Sequence, residues 1–242
     1  PFVSGCSQAA FSGDGPRLVR NYDYEAALFE GVVLASRFDG RRVVGTSDQL
    51  WGLVDGMNDA GLAISLAFGG RRVVGDGFGV PIILRYVLQT CGTLRQAQDA
   101  LARLPVQVSY NILVVDGQGR ALTAFINPDR AAEFATRSWT TNHQKRVEWP
   151  EHDRLTGSVA RALTLRTLLT MRPVDPDRIV AAFLRPPLHS TDHAHGTGTL
   201  YTAQYRPTQG LLTYHWPGSQ WSHTLEDLAG GGHTAVLAGR PA

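Results

Sequence analysis

Short apolar runs separated by turn dipeptides fill the first third of this 242-residue chain. Gly-Asp, Asp-Gly and Asn-Asp pairs interrupt the runs, and such pairs are typical of tight turns between strands. We therefore predict strands over residues 17–22, 31–36, 42–45 and 62–68. The 26 glycines and 13 prolines are spread along the whole chain, which also suits many short strands joined by turns.

Helices and strands come in blocks in the rest of the sequence. Thr93 can cap a helix with apolar residues at helical spacing, and Pro105 ends it. The predicted helices cover 82–89, 94–104, 158–171 and 177–184, and the predicted strands cover 110–115, 120–126, 134–141, 198–205 and 210–215. Grouped rather than strictly alternating elements predict an α+β fold of packed sheets with helices outside. We expect one domain over residues 1–242. The alternative is two domains that meet near Trp149 and Pro150, where no linker composition marks a boundary.

Composition argues against several classes of protein. The net charge is +2, and the two signs are interspersed, so no basic stripe indicates nucleic acid. No stretch approaches the ~20 apolar residues of a membrane-spanning helix, and no signal peptide is visible. We therefore expect a cytoplasmic protein without a membrane span. Two cysteines, Cys6 and Cys91, cannot form a disulfide scaffold, and two free thiols are favoured over a single bridge between them.

Cys6 stands out by its position after Gly5 near the start of the sequence. If residues 6–10 and 18–23 form a hairpin, Arg20 or Asp23 comes beside the thiol. A thiol next to a guanidinium has a lowered pKa and is a better nucleophile. The alternative is that Cys6 is a small buried apolar residue and that Arg20 and Asp23 form a surface ion pair.

Several segments, taken in order, match the motifs of one group of enzymes. They are Gly-Cys-Ser at 5–7, Arg-Asn-Tyr-Asp at 20–23, Asp-Gly-Met-Asn-Asp-Ala-Gly-Leu at 55–62, Thr-Leu-Arg-Gln-Ala at 93–97, Asn-x4-Asp-x-x-Gly at 111–119, Thr-Asn-His at 141–143, Gly-Ser-Val-Ala-Arg at 157–161 and Gly-Thr-Leu-Tyr at 198–201. Along nearly its whole length the chain resembles the N-terminal nucleophile (Ntn) hydrolases of the choloylglycine hydrolase and acyl-CoA:6-aminopenicillanate acyltransferase group. The resemblance implies a four-layer α-β-β-α sandwich with two stacked, mainly antiparallel sheets.

The resemblance also implies a precursor that cleaves itself before the nucleophile. The cleaved bond is then Gly5–Cys6, and residues 1–5 are the remnant of a propeptide or linker. The freed α-amine of Cys6 serves as the general base for its own thiol. An α-amine titrates at about 7.7–8.0, close to working pH, which suits this role.

Four further residues receive roles from the resemblance. Asp23 corresponds to the carboxylate that orients the Cys6 α-amine, and Arg20 to the cation beside the thiol. Asn142 corresponds to the oxyanion-hole donor, and Arg161 to the distal charge that completes the network. Together with Cys6, these are the expected catalytic residues.

Three residues are expected to contact substrate. Phe68 lies, with Ala67, where some relatives have a second oxyanion donor, and neither side chain here can donate a hydrogen bond. Trp139 precedes the Thr-Thr-Asn segment and is expected to line an acyl pocket. His143 places an imidazole next to Asn142, and a papain-like pair of Cys6 with His143 is an alternative mechanism.

The resemblance thus implies hydrolysis of a linear, non-peptide N-acyl amide through a Cys6 thioester, and we expect no cofactor and no metal. An acyltransferase that passes the acyl group to an amine, and a non-catalytic binding protein of the same fold, are the alternatives. A metal site formed by His189, Asp192, His193 and His195 is less favoured, because their spacing matches no tetrahedral signature. The substrate is a small molecule, and a homo-oligomer is compatible with the resemblance.

Overall fold

Two antiparallel sheets lie face to face in the computed structural model, which describes residues 4–48, 50–226 and 231–237. Within these ranges the first sheet has six strands in the order β10-β1-β2-β11-β12-β13, and the second has seven in the order β3-β4-β5-β6-β7-β8-β9. The strands of the first sheet are β1 (Gly5–Ser12), β2 (Pro16–Asp23), β10 (Trp139–Thr140), β11 (Thr199–Arg206), β12 (Leu211–Trp216) and β13 (Ser219–Thr224). Those of the second are β3 (Val33–Phe38), β4 (Arg41–Asp48), β5 (Gly52–Asn58), β6 (Ala63–Phe68), β7 (Tyr110–Val115), β8 (Ala121–Ile126) and β9 (Glu133–Ala135).

The described chain has five α-helices, four of which pack on the outer faces of the sheets. They are α1 (Val80–Thr90), α2 (Leu94–Arg103), α3 (Pro150–Thr156), α4 (Ser158–Thr170) and α5 (Pro176–Phe183). Helices α1 and α2 pack on the second sheet, and α4 and α5 pack on the first. The predicted four-layer α-β-β-α arrangement is therefore confirmed. No helix in the described ranges is both long and apolar enough to cross a bilayer.

The hairpin of β1 and β2 places Cys6 between the two sheets. Its register pairs Cys6 with Tyr22, which confirms the predicted hairpin. Side chains alternate along a strand, so Cys6 and Ala10 face the core between the sheets. Ala9 and Phe11 face the helical layer instead. The thiol therefore points toward side chains that the second sheet supplies.

Four elements differ from the sequence-based prediction. The sequence predicts a turn at Asp55-Gly56, yet both residues lie within β5, whose seven residues are all buried. The other predicted turn pair, Asn58-Asp59, does lie at a turn, at the end of β5. Helix α3 and strand β13 are absent from the sequence-based prediction. The segment predicted as one strand over 134–141 forms β9 and β10, which belong to different sheets.

Two facing glycines allow β4 and β5 to approach each other under α1. Gly45 pairs with Gly56. A Cβ on Gly45 would overlap the backbone carbonyl of Asp55, and one on Gly56 would lie 2.7 Å from the Val44 oxygen. Both obstacles are backbone atoms, which cannot turn aside.

Gly45→Ala should therefore lower the free energy of unfolding by about 1–3 kcal/mol, because the added methyl forces the strands apart. Gly117→Ala is the matched control, since its Cβ would meet Thr208 at an ordinary 3.5 Å, and it should change stability by less than about 0.5 kcal/mol. Urea denaturation measures both. Equal losses of unfolding free energy in the two variants would show that β4 and β5 are not too close at Gly45 to admit a methyl group.

Candidate active site

The thiol of Cys6 lies beside the guanidinium of Arg20. Arg20 Nη2 is 3.3 Å from Cys6 Sγ, and both side chains are fully buried. Cys6 pairs with Tyr22 across the hairpin, so Arg20 is its diagonal neighbour on the same face of the sheet. The backbone of Asp23 also donates a hydrogen bond that favours the thiolate. The predicted proximity of Arg20 to the thiol is present in the structure.

The second sheet fixes the position of Arg20. Nη1 donates to Asp55 Oδ2 at 2.7 Å, and Nη2 donates to the Leu66 carbonyl at 3.1 Å. The guanidinium also lies over the ring of Tyr22, 4.6 Å from its centre. These contacts on several sides leave the guanidinium little freedom to move away from the thiol.

Asp55 is the buried counter-ion that sequence reasoning missed. Its carboxylate accepts hydrogen bonds from Thr46 Oγ1 at 2.6 Å, Tyr201 OH at 2.6 Å and Tyr205 OH. Burial raises the pKa of both tyrosines well above the usual value, so their hydroxyls stay protonated and donate. The interpretation of Asp55 as a turn residue is wrong, because β5 crosses the middle of the second sheet.

Asn142 holds the backbone nitrogen of Cys6. That nitrogen donates to Asn142 Oδ1 at 2.7 Å, and Arg161 Nη2 donates to the same oxygen at 2.7 Å. Asn142 Nδ2 donates to the Phe68 carbonyl at 3.2 Å, and the Asn142 backbone N–H donates to Ser158 Oγ at 2.9 Å. The amide orientation of Asn142 is thus fixed from both sides. Its oxygen faces the Cys6 nitrogen.

Arg161 reaches the same strand from the helical layer. Residing on α4, it donates through Nη1 to the Cys6 carbonyl and to Ser7 Oγ at 2.9 Å. Its Nε donates to the Thr156 carbonyl at 2.8 Å. Because Arg161 contacts both Asn142 and the Cys6 backbone, it ties the helix to the residue that carries the thiol.

Asp23 lies opposite Gly5 at the end of the hairpin. It accepts a hydrogen bond from Thr199 Oγ1 at 2.7 Å. Burial raises the pKa of Asp23 to about 7, although Arg161 and the Thr199 hydrogen bond act in the opposite direction. In the unbroken chain the Cys6 nitrogen donates to Asn142 rather than to Asp23.

The Cys6 thiol differs from expectation in the direction of its pKa. Burial raises the pKa above its ordinary value, and this outweighs the lowering by Arg20 and Arg161. The sequence predicts the cation next to the thiol, but it does not predict that both groups are buried away from water. In the unbroken chain the thiol is therefore held protonated.

Three aromatic rings, those of Phe68, Trp149 and His152, pack together near Ser4. The rings of Phe68 and Trp149 lie 5.1 and 5.2 Å from the ring of His152. Burial lowers the pKa of His152 to about 4, while a hydrogen bond with the Ser4 backbone raises it. The sequence-based prediction includes Phe68 but not Trp149 or His152, because the segment that contains these two residues matches none of the recognised motifs.

Two predicted substrate-binding residues are placed elsewhere. Trp139 is on β10 and packs, under Arg137, with the apolar cluster on the helical side of the first sheet. The structure therefore does not bring Trp139 to the thiol. His143 follows Asn142, but its ring contacts Ser158 Oγ at 2.8 Å and Thr141 Oγ1 at 3.4 Å.

Cys6 and Cys91 are both free thiols.

The family model for acyl-coenzyme A:6-aminopenicillanic acid acyl-transferase matches residues 11–221. The chain belongs to this family. A search of curated proteins finds no match.

Solved structures of Ntn hydrolases share the fold of this acyl-transferase family member. A Caenorhabditis elegans ortholog of N-acylethanolamine-hydrolyzing acid amidase is 17% identical, with a TM-score of 0.59 over 84% of this chain and 93% of that chain. A mutant of a conjugated bile acid hydrolase from Clostridium perfringens is 12% identical, with a TM-score of 0.65 over 91% and 92%. A penicillin V acylase from Agrobacterium tumefaciens is 13% identical, with a TM-score of 0.63 over 92% and 87%.

A separate apolar cavity of about 260 Å³ lies on the far side of the Arg20 partners in this acyl-transferase family member. Tyr201 belongs to both, since its ring lines the cavity and its hydroxyl is 3.3 Å from Arg20 Nη1. Phe29, Trp216 and Trp221 form further walls. Among the described residues, no group of histidine, cysteine and acidic side chains is arranged to hold a metal ion.

Asp55→Asn should lower the free energy of unfolding by about 3–5 kcal/mol, because it leaves the Arg20 guanidinium buried without a counter-ion. Asp99→Asn is the control, since Asp99 is exposed and lies 4.0 Å from Arg95, and it should cost less than about 0.5 kcal/mol. Urea denaturation compares them. Similar small losses would contradict the counter-ion role of Asp55.

Asp23 should make stability depend on pH. Because its pKa is about 7 in the folded chain and near 3.8 in a model peptide, the folded state binds the proton more tightly between these values. In the Cys6→Ala background, which keeps the chain unbroken, the free energy of unfolding relative to the same chain with Asp23→Asn should therefore fall as the pH rises from about 4 to about 7. A difference that stays constant over this range would exclude the raised pKa.

Proposed function

We propose that this member of the family is an N-terminal-nucleophile cysteine amidohydrolase that cleaves a linear N-acyl amide through a Cys6 thioester. The arrangement of side chains around Cys6 is the observation that supports this proposal. Arg20 lies beside the Cys6 sulfur, and Asn142 holds the Cys6 nitrogen. Nucleophile and base are then parts of the same residue, which keeps the entropic cost of aligning them small.

Maturation is proposed to begin with an attack by the thiol on the preceding carbonyl. Cys6 Sγ forms a bond to the Gly5 carbonyl carbon, the bond from that carbon to the Cys6 nitrogen breaks, and the thiol proton passes to the nitrogen. Water then hydrolyses the thioester and releases the segment that ends at Gly5. Asn142 Oδ1 accepts a hydrogen bond from the nitrogen in the unbroken chain, and we propose that it also accepts one from the freed amine.

Turnover repeats this chemistry on an external amide. The free α-amine takes the thiol proton while the sulfur attacks the substrate carbonyl, and the same amine then protonates the leaving nitrogen. Asn142 Nδ2 uses one of its two hydrogens for the Phe68 carbonyl, and the other supplies an oxyanion donor. Such a donor lowers the activation barrier by about 2.7–4 kcal/mol.

Cleavage would also change the surroundings, and hence the pKa, of the Cys6 thiol. The pKa of the Cys6 thiol is raised in the unbroken chain because the sulfur is fully desolvated. Departure of the segment before Cys6 lets water reach the sulfur, while Arg20 keeps its place through Asp55 and Leu66. The guanidinium then dominates and favours the thiolate. Cleavage thus supplies the base and activates the nucleophile together.

Transfer of the acyl group to an amine is the second candidate function, and the family model favours it by its own description. The thioester is common to both reactions, and only its acceptor differs. Adding small primary amines to the reaction separates them. A transferase diverts the acyl group from acid to amide at millimolar amine, whereas a hydrolase continues to release the acid.

Cys6→Ala should abolish both maturation and turnover, because it removes the sulfur that attacks the carbonyl in each reaction. Intact mass spectrometry should show loss of the segment ending at Gly5 in the wild type but not in Cys6→Ala, and an acyl adduct on Cys6 with N-acyl amide substrates. Cys91→Ala is the matched control and should retain both. Amide hydrolysis at the wild-type rate by Cys6→Ala would refute the proposed function.

A further inference from the structure

The side chain of Asn111 reaches from the second sheet to the segment that carries Asn142. Asn111 lies on β7 and is fully buried. Its Nδ2 donates one hydrogen bond to the Thr141 carbonyl at 2.7 Å and another to the His143 carbonyl at 3.0 Å. These two carbonyls belong to the residues directly before and after Asn142. A single amide group therefore holds the backbone on both sides of the proposed oxyanion donor.

The two carbonyls determine the orientation of the Asn111 amide. If the amide were turned over, its oxygen would face two carbonyl oxygens, which cannot donate a hydrogen bond to it. In the present orientation Asn111 Oδ1 is buried and has no hydrogen-bond partner among the described residues. A buried acceptor without a partner is unfavourable. The two donated hydrogen bonds are therefore what an asparagine supplies here and an apolar side chain of similar shape does not.

Ser158, the first residue of α4, holds the same segment from the helical layer. Its Oγ accepts a hydrogen bond from the Asn142 backbone N–H at 2.9 Å and donates one to Thr141 Oγ1 at 3.0 Å. The His143 ring contacts the same oxygen at 2.8 Å. A third side is closed by Gly70, since a Cβ built there would overlap the Asn142 carbonyl oxygen. The segment is thus held between the second sheet, α4 and the chain that follows β6.

Asn111 is also connected to the strand that carries the nucleophile. Gln8 lies on β1 two residues after Cys6, so the two side chains face the same side of the sheet. Gln8 Nε2 donates to the Asn111 backbone carbonyl at 3.2 Å, and Ser65 Oγ donates to Gln8 Oε1. Asn111 therefore contacts β1 through its backbone and the segment around Asn142 through its side chain. The separation of Cys6 and Asn142 depends on both contacts.

We infer that Asn111 and Ser158 are positioning residues for the reaction, and that they act by fixing Asn142 relative to the thiol and nitrogen of Cys6. This inference rests on the proposed function, in which Asn142 Nδ2 stabilises the oxyanion and Asn142 Oδ1 holds the nitrogen. Both residues act through Asn142 rather than on the reacting atoms.

The location of Asn142 in the fold explains why it needs such support. Residues 141–143 follow the two-residue strand β10 and lie outside the strands and helices, so no regular ladder of backbone hydrogen bonds holds them. An oxyanion donor contributes only when it lies at hydrogen-bond distance from the developing charge. A displacement of about 1 Å can slow a reaction on the order of 10²-fold. The side chains of Asn111 and Ser158 take the place of the missing ladder.

The test compares Asn111→Leu and Ser158→Ala with the wild type. Leucine has the branching of asparagine but donates no hydrogen bond, and alanine removes only the Ser158 hydroxyl. Each protein is synthesised as the full chain and allowed to mature, and its active sites are counted by alkylation of Cys6 with iodoacetamide and intact mass spectrometry. The substrate is whichever of acetyl, hexanoyl and decanoyl 4-nitroanilide the wild type hydrolyses fastest.

The positioning role predicts a loss of kcat per active site with little change in KM, because Asn142 acts on the transition state. We expect kcat per site to fall about tenfold or more in Asn111→Leu and about threefold or more in Ser158→Ala. A residue that serves only folding lowers the number of sites and leaves the kcat of each site unchanged. A wild-type kcat per site in either variant removes that residue from the role.

Asn58→Leu is the matched control. Asn58 is also fully buried, and its Nδ2 donates to two carbonyls, those of Leu88 at 2.8 Å and Cys91 at 2.9 Å. Those carbonyls lie at the end of α1 and do not hold Asn142. Asn58→Leu should lower the yield of folded protein and leave kcat per site unchanged. A loss of kcat per site as large as that in Asn111→Leu would overturn the inference, because kcat would then follow general stability.

Ser158→Ala decides the matter if Asn111→Leu does not fold, because it removes a single hydroxyl at the start of a helix. Maturation gives a second measurement that needs no external substrate. Timed intact mass spectrometry during cell-free synthesis should show slower release of the segment ending at Gly5 in Ser158→Ala than in the wild type, since Asn142 holds the nitrogen of the cleaved bond. Equal rates of release and equal kcat per site would contradict the inference.

Failure of the proposed function gives a different result. In that case the wild type itself neither releases the segment that ends at Gly5 nor forms an acyl adduct on Cys6. Failure of the inference alone leaves both reactions intact in the wild type, and the variants that fold carry them out at the wild-type rate.

Discussion

A guanidinium buried without water must have a counter-ion, and the position of Arg20 follows from that constraint. Desolvating an ion costs several kcal/mol, which is recovered only with good geometry and further hydrogen bonds. Asp55 meets both conditions, since it bonds Arg20 at 2.7 Å and is itself held by Thr46 and two tyrosines. The strand that carries Asp55 belongs to the second sheet, so packing of the two sheets is what fixes the cation beside the thiol.

The candidate site is assembled from three layers of the sandwich. The first sheet supplies Cys6, Arg20 and Asp23, the second supplies Asp55, and α4 supplies Arg161. Asn142 lies after β10 and links the layers, because Cys6 and Arg161 both donate to its side-chain oxygen. Such a network is rigid before any substrate binds. Preorganised groups of this kind lower a barrier without reorganising during the reaction.

The sequence was sufficient for the hairpin and for the neighbour of the thiol, because a short antiparallel pair fixes its own register. The sequence-based prediction failed for residues whose position depends on partners far away in the sequence. Asp55 and Gly56 have the composition of a turn, yet they lie in β5, where Gly56 pairs with Gly45 and Asp55 bonds Arg20. Trp139 follows the alternation of its strand away from the thiol, and His152 enters the site from a short helix that the sequence does not predict. Burial, which sets the direction of the Cys6 pKa, is a property of the assembled layers.

Selective ¹⁵N labelling of the two cysteines gives the most direct test of the account, because it reports the chemical state of each backbone nitrogen. The account predicts that in the active protein the Cys91 nitrogen remains an amide, whereas the Cys6 nitrogen is an amine that titrates within about one unit of the usual 7.7–8.0. Two amide signals in a protein that hydrolyses amides would contradict it, since the base would then be some other group.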